Sequence, residues 1–232
     1  MLYCAYLFLL INSWFHTQIY PVQIGDTTLQ IIKQSGSGKT LIHLHENEKT
    51  ALQAAKLYVD FKGGSLITLR HGGDRNIQFY LKGCRYEFDP NRIFTDVGIE
   101  KTLKQYGPYT QEAHAEVKKF AAKLTSLLTT DKIIAVHNNS DYSIQEYFPF
   151  RPLQNDAACI NFRHNSNYRN FYFVTRNDVY CRLKKADFNV ALQAKAAQDD
   201  GSLSYFLADK NYINIEAGHG EISEQLRMIF NA

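Results

Sequence analysis

The segment Leu41-Ile-His-Leu-His45-Glu-Asn-Glu48-Lys-Thr-Ala51 sets an imidazole at the end of an apolar, strand-like run and a carboxylate three residues later, at the mouth of a helix. Neutral imidazole and carboxylate both ligate zinc, so the pair offers a divalent metal two ligands from one short segment. His43-Leu-His-Glu46 is a competing frame. Strand alternation favours His45, with Glu48 on the first helical turn, and leaves His43 as a histidine satisfied inside the sheet. Two further polar residues follow apolar runs: His137 after Lys132-Ile-Ile-Ala-Val136, and Glu216 after Tyr212-Ile-Asn-Ile215. Functional side chains of open α/β sheets gather at the carboxyl ends of strands, where all three of these residues stand. A third ligand and a general base downstream of the first pair are what a metal-dependent hydrolase requires.

The elements that must hold these residues can be read from periodicity. Thr28 to Gln34 alternates as a strand, and Ala51, Ala54, Ala55, Leu57, Tyr58 and Phe61 recur at helical spacing until Gly63-Gly64 ends the helix. Ser65 to Leu69 is the next strand, and Ile77 to Leu81 with Tyr86 to Phe88 around Lys82-Gly83 is a hairpin. A long amphipathic helix spans Thr110 to Leu128, ahead of the compact strand that ends at His137. Strands at Cys159 to Phe162 and Phe171 to Val174, a helix from Asp178 to about Ala186, the strand into Glu216 and a helix from Ser223 complete the pattern. Strands separated by helices predict an α/β chain, a three-layer α/β/α sandwich whose hairpin makes the central sheet mixed.

At 232 residues the chain suits one substantial domain. Hydrophobic content of 45%, charged content of 21% and a net charge of +3 are ordinary for a globular protein, which argues against nucleic acid and for a small or peptidic partner. Ser35-Gly-Ser-Gly-Lys39 looks like a phosphate-binding loop, but Lys33 stands where that loop needs a glycine, and a strand follows where it needs a helix. Residues 1–25 carry no formal charge, and Leu2 to Ile11 is nearly unbroken apolar sequence. That run falls short of the roughly 20 residues needed to span a bilayer, so no stable membrane span is expected. It fits a signal peptide and hence a periplasmic or secreted protein, the alternative being a buried N-terminal segment of a cytoplasmic one. The domain proper is then 26–232. Cys4, Cys84, Cys159 and Cys181 contain no C-x-x-C pair, which argues against a cysteine zinc site. Loss of Cys4 with a leader would leave three cysteines and at least one free thiol, with a Cys159–Cys181 bridge left open.

Four ordered motifs resemble the zinc metallocarboxypeptidases and their aspartoacylase and succinylglutamate desuccinylase relatives. They are His45-Glu-Asn-Glu48, Asp89-Pro-Asn-Arg92-Ile-Phe, Ala135-Val-His137 and Ile213-Asn-Ile-Glu216. Their order agrees with the family, as do the intervals of 92 residues from His45 to His137 and 79 from His137 to Glu216. The resemblance covers about residues 40 to 220. It implies one zinc ion on His45, Glu48 and His137, with Glu216 as general base. It also implies Asn91 and Arg92 as the clamp for a substrate carboxylate, and Arg75 as the arginine that polarises the scissile carbonyl. Arg70 and Arg85 lie near enough to compete for the last role, and Asp-Pro-Asn is good turn chemistry in its own right.

The implied activity is hydrolysis of a peptide or amide bond next to a free carboxylate, most simply by a carboxypeptidase acting on a short peptide. An aspartoacylase-like deacylase of a small N-acyl amino acid uses the same parts, and a zinc-containing binding module without turnover is the reading of another class. The family's mobile tyrosine has no residue in register here, with Tyr205 as the substitute, and the specificity position falls near Leu203. His219 reads as a loop histidine that can approach the site. The oligomeric state leaves no trace in the sequence.

Overall fold

Leu41 and Ile42 are neighbours in sequence and both fully buried, yet they belong to different hydrophobic cores. The same split separates Ile133 from Ile134 and Tyr212 from Ile213. Successive side chains of a strand point to opposite faces, so a strand covered on both sides needs apolar residues at nearly every position. The computed structural model, which describes residues 16–232, has this arrangement.

Strands β1 (His16–Ile24), β2 (Thr27–Ser35) and β3 (Thr40–His43) precede helix α1 (Lys49–Lys62). Next come β4 (Ser65–Arg70), the hairpin β5 (Ile77–Leu81) and β6 (Cys84–Phe88), and helices α2 (Asp96–Tyr106) and α3 (Gln111–Thr125). The remainder is β7 (Lys132–Asn139), β8 (Ala157–Asn161), β9 (Phe171–Val174), α4 (Asn177–Lys185), β10 (Val190–Gln193), α5 (Leu203–Phe206), β11 (Asn211–Gly218) and α6 (Ile222–Asn231). Nine strands form one mixed sheet in the order β1-β2-β4-β3-β7-β11-β9-β10-β8, with β5 and β6 apart as a pair. The centre is parallel, β4 with β3, β3 with β7 and β7 with β11, while β2 on one flank and β9 on the other run antiparallel to their inner neighbours.

One core joins Ile42, Ala135 and Tyr212 to the hairpin and to Leu103 of α2 and Phe120 of α3. The other joins Leu41, Ile134 and Ile213 to Ala55 of α1, Leu183 of α4 and Ile229 of α6. The chain is therefore α/β, with helices on both faces of a mixed sheet. Among the described residues no helix is long and apolar enough to cross a membrane.

The structure departs from the sequence reading at several points. His16–Ile24, grouped there with the apolar leader, is the edge strand β1, paired along its whole length with β2 from His16↔Ser35 to Ile24↔Thr27. A boundary at residue 25 would cut that hairpin at its turn; the run Leu2 to Ile11 lies outside the described residues. Helix α2 and strand β10 were not anticipated. Strand β3 stops at His43 rather than His45, since its ladders end at Ile42↔Ala135 and His43↔Thr68. Cys159 and Cys181 do not bridge; they and Cys84 are free and exposed.

Candidate metal centre and its pocket

Past the last ladder pair of β3 the chain turns, the Glu48 N–H donating to the His45 carbonyl at 3.0 Å. That turn brings the two side chains together, with His45 Nδ1 2.8 Å from Glu48 Oε1. Glu48 is the N-cap of α1, but its carboxylate makes no capping bond. The helix is capped from β7 instead, where Asn138 Oδ1 accepts the Ala51 N–H at 2.7 Å. Asn138 also donates its own N–H to Glu48 Oε2 at 3.1 Å, so one residue caps the helix and aims the carboxylate. Replacing Asn138 with Ala is expected to cost about 1–3 kcal/mol, the scale of a lost cap and stranded buried donors. Denaturant unfolding reads this directly, and an unchanged midpoint would remove Asn138 from the scaffold.

Parallel pairing of β7 with β11 puts His137 and Glu216 in register. Residues two apart share a strand face, so Asn139 joins His137 and Asn214 joins Glu216 on one patch at the carboxyl end of the sheet. His137 Nδ1 lies 3.0 Å from Glu48 Oε2 and 3.1 Å from His45 Nδ1. His45, Glu48 and His137 are all buried, and one ligand atom from each lies within 4.8 Å of the others. This group can hold a metal ion. Four ligands at the usual zinc distances lie about 3.3 Å from one another, close to the spacing here. Two imidazole nitrogens facing each other across 3.1 Å need a proton or a cation between them.

The surroundings are prepared for positive charge. His45 Nε2 donates to Asp89 Oδ1 at 2.8 Å, which leaves Nδ1 as the nitrogen turned to the centre, where a metal ion would take the place of its proton. Burial alone would lower the His45 imidazole, but the Glu48 and Asp89 carboxylates outweigh it and hold it up at about 9. Burial likewise opposes the charge of Glu48, whose carboxyl is nevertheless held well below the usual range by His45 and His137. Asp89 is locked in turn by the Thr102 hydroxyl on its N–H and the Asn91 N–H on its Oδ1. An Asp89→Asn variant is expected to bind metal about 10–100-fold more weakly, the usual scale for losing such an orienting carboxylate. Competition with a chelator measures it, and wild-type affinity would show that Asp89 does not set the ligand.

The competing frame fails on geometry. His43 Nε2 lies 3.0 Å from the Glu48 carbonyl oxygen, and burial pushes its imidazole down to about 4. Glu46 Oε2 accepts the backbone N–H groups of His71, Gly72 and Gly73, and so staples a loop.

A cavity of about 490 Å³ opens over the centre and is lined by His45, Glu48, Arg75, Asn91, Arg92, His137 and Glu216, the residues given a metal, substrate or catalytic role above. Glu216 Oε2 accepts from Asn139 Nδ2 and Oε1 from Asn214 Nδ2, both at 3.1 Å, which fixes the carboxylate in the wall. Arg75 is in the cavity, half-exposed, but its Nη1 hydrogen bond goes to Glu48 Oε1 at 2.7 Å. Arg92 Nη1 donates to the Asn91 carbonyl and lies 3.6 Å from Asp200 Oδ2.

The Arg92 loop is tied to the Asp200 segment by the Phe94 N–H on the Gly201 carbonyl and by the Leu203 N–H on Asn91 Oδ1. Gly201 has φ +74°, and a Cβ there would fall 2.4 Å from Gly98 Cα and 2.6 Å from the Arg92 carbonyl, so only glycine permits the contact. Tyr205 and His219 line the cavity. Leu203, given the specificity position above, is fully buried in the core instead. The aromatic wall is Tyr142, Tyr147 and Phe173, with the two tyrosine hydroxyls bonded to each other.

No protein-family model matches this chain, and no curated protein matches it in sequence.

Proposed function

We propose that the protein is a zinc-dependent hydrolase that cleaves a peptide or amide bond next to a free carboxylate, with carboxypeptidase action the leading form. The observation that carries this reading is the convergence in one cavity of the buried His45–Glu48–His137 group, Glu216 and Arg92. Two imidazoles and one carboxylate are a donor set suited to zinc. When bound, zinc supplies Lewis acidity and brings the pKa of a water towards ~7.

The chain's own residues then divide the work. Asp89 holds His45 in the ligating tautomer. Glu216, kept in place by two carboxamides, takes the proton from the attacking water and delivers it to the leaving nitrogen. Arg92 and Asn91 hold the substrate carboxylate, for which a guanidinium has the matching planar geometry. Arg75, now on Glu48, is the cavity's other guanidinium and the candidate for steadying the oxyanion.

An Arg92→Ala variant is expected to raise KM for a free-acid peptide about 10–100-fold, the value of a charge-assisted hydrogen bond of roughly 1.5–3 kcal/mol, with a smaller change in kcat. Steady-state kinetics on one peptide decides this, and an unchanged KM would remove Arg92 from the clamp. The assignment as a whole is tested by incubating the zinc-loaded protein with short peptides, cell-wall peptides and N-acyl amino acids. Release of a C-terminal residue supports it, release of an acyl group favours the deacylase, and zinc binding with no turnover on any member contradicts the hydrolase.

A further inference from the structure

Helix α6 carries one polar side chain on the face it buries. Gln225 is fully buried there, beside Met228 and Ile229. Its Oε1 accepts from Asn138 Nδ2 at 3.2 Å, and its Nε2 has no partner among the described residues. A buried amide that meets only part of its hydrogen bonding is less favourable than a methionine or leucine filling the same space, so packing alone does not account for it.

The orientation of both amides is fixed by groups that cannot change roles. The Ala51 N–H can only donate, so Asn138 turns Oδ1 to it at 2.7 Å and Nδ2 away, to the Ala217 carbonyl at 3.3 Å and to Gln225. Nδ2 can only donate in its turn, so Gln225 presents Oε1. Asn138 is thereby held by α1, β11 and α6 at once. A second tie lies close by, for the Gly220 N–H donates to Thr50 Oγ1 at 3.0 Å and joins the loop before α6 to the first turn of α1. Glu48 stands at the head of that turn, with its Oε2 on the Asn138 N–H.

We propose, resting on the His45–Glu48–His137 reading above, that Gln225 is a positioning residue for the metal centre: acting through Asn138, it fixes the first turn of α1 and with it the Glu48 carboxylate. Without the Gln225 acceptor one Asn138 N–H is unpaired, the amide is free to turn, and Ala51 loses a fixed cap. Glu48 then has to be ordered as the ion binds, and that ordering weakens the ion's hold.

Gln225→Met keeps the length and bulk of the side chain and removes the acceptor. It strands one Asn138 N–H but takes away the stranded Gln225 nitrogen, so the denaturation midpoint of the metal-free protein is expected to be unchanged. Zinc affinity, read by competition with a chelator, is expected to fall about tenfold, the low end of the range for groups that orient metal ligands. Gln225→Glu still offers an oxygen to Asn138 and is expected to recover most of that affinity. Unchanged zinc affinity in Gln225→Met, or a loss that Gln225→Glu does not recover, overturns the positioning role. A loss accompanied by a lower metal-free midpoint makes Gln225 a packing residue and overturns it equally. A wild-type protein that takes up no zinc removes the metal centre itself, and the positioning role with it.

Discussion

Glu216→Gln is expected to lose about 10²–10⁴ of the hydrolytic rate, the usual share of a general base, while the protein keeps its metal. The two effects separate because Glu216 is outside the buried ligand group, on the next strand over and in register with His137. Its surroundings argue for a base rather than a structural carboxylate. Among the described residues both oxygens accept only from uncharged amides and no salt bridge neutralises it, and it lines the cavity beside the centre. Glutamine has the same size but cannot take a proton, and it sacrifices one of the two amide contacts, a stability cost of about 1 kcal/mol. Turnover, metal content and a denaturation midpoint measured on the same preparation check the account. Full activity in the variant would end the proposed mechanism.

The second large effect is expected from His137→Ala and His45→Ala. Either leaves two ligands where three are needed, so each variant should purify without stoichiometric zinc and without turnover. The loss should also appear as stability. Zinc at about 1,000 times its Kd adds about 4 kcal/mol to the folded state, and that increment should be present in the wild type, reversible with chelator and absent from both variants. Substituting His43 provides the contrast, because its ring bonds to the Glu48 backbone and not to the centre. A His43 variant that still folds should still be stabilised by zinc. Equal zinc stabilisation of His137→Ala and the wild type would show that the ion binds elsewhere.

What the sequence made legible followed from strong local signals. The apolar runs at Lys132 to Val136 and Tyr212 to Ile215 could only be strands covered on both faces, and they delivered His137 and Glu216 to the same end of the sheet. His45 and Glu48 were legible because a strand end followed by a helix start leaves few ways to place two side chains three residues apart. What was missed depends on partners remote in sequence. β1 is an exposed edge strand that contains Pro21 and gains its structure from pairing with β2, so its own pattern is weak. Asn138 acts through a helix N–H 87 residues away, and Asp89 through a histidine 44 residues away. No window on the sequence contains either pair. Helix α2 does carry a local signal, a Thr95 cap before Ile99 and Leu103. Leu203 was misplaced because alignment to a motif says nothing of which way a side chain faces, and here it faces the core.

The central claim, a metal site that works on a bond beside a held carboxylate, is tested most directly by one comparison. A single peptide is offered to the zinc-loaded protein as its free C-terminal acid and as its C-terminal amide, and the products are read by mass spectrometry. The account predicts loss of one terminal residue from the acid and little or no reaction of the amide, because Arg92 has a carboxylate to hold in only one of them. Equal cleavage of both, or cleavage of neither while zinc is bound, would contradict it.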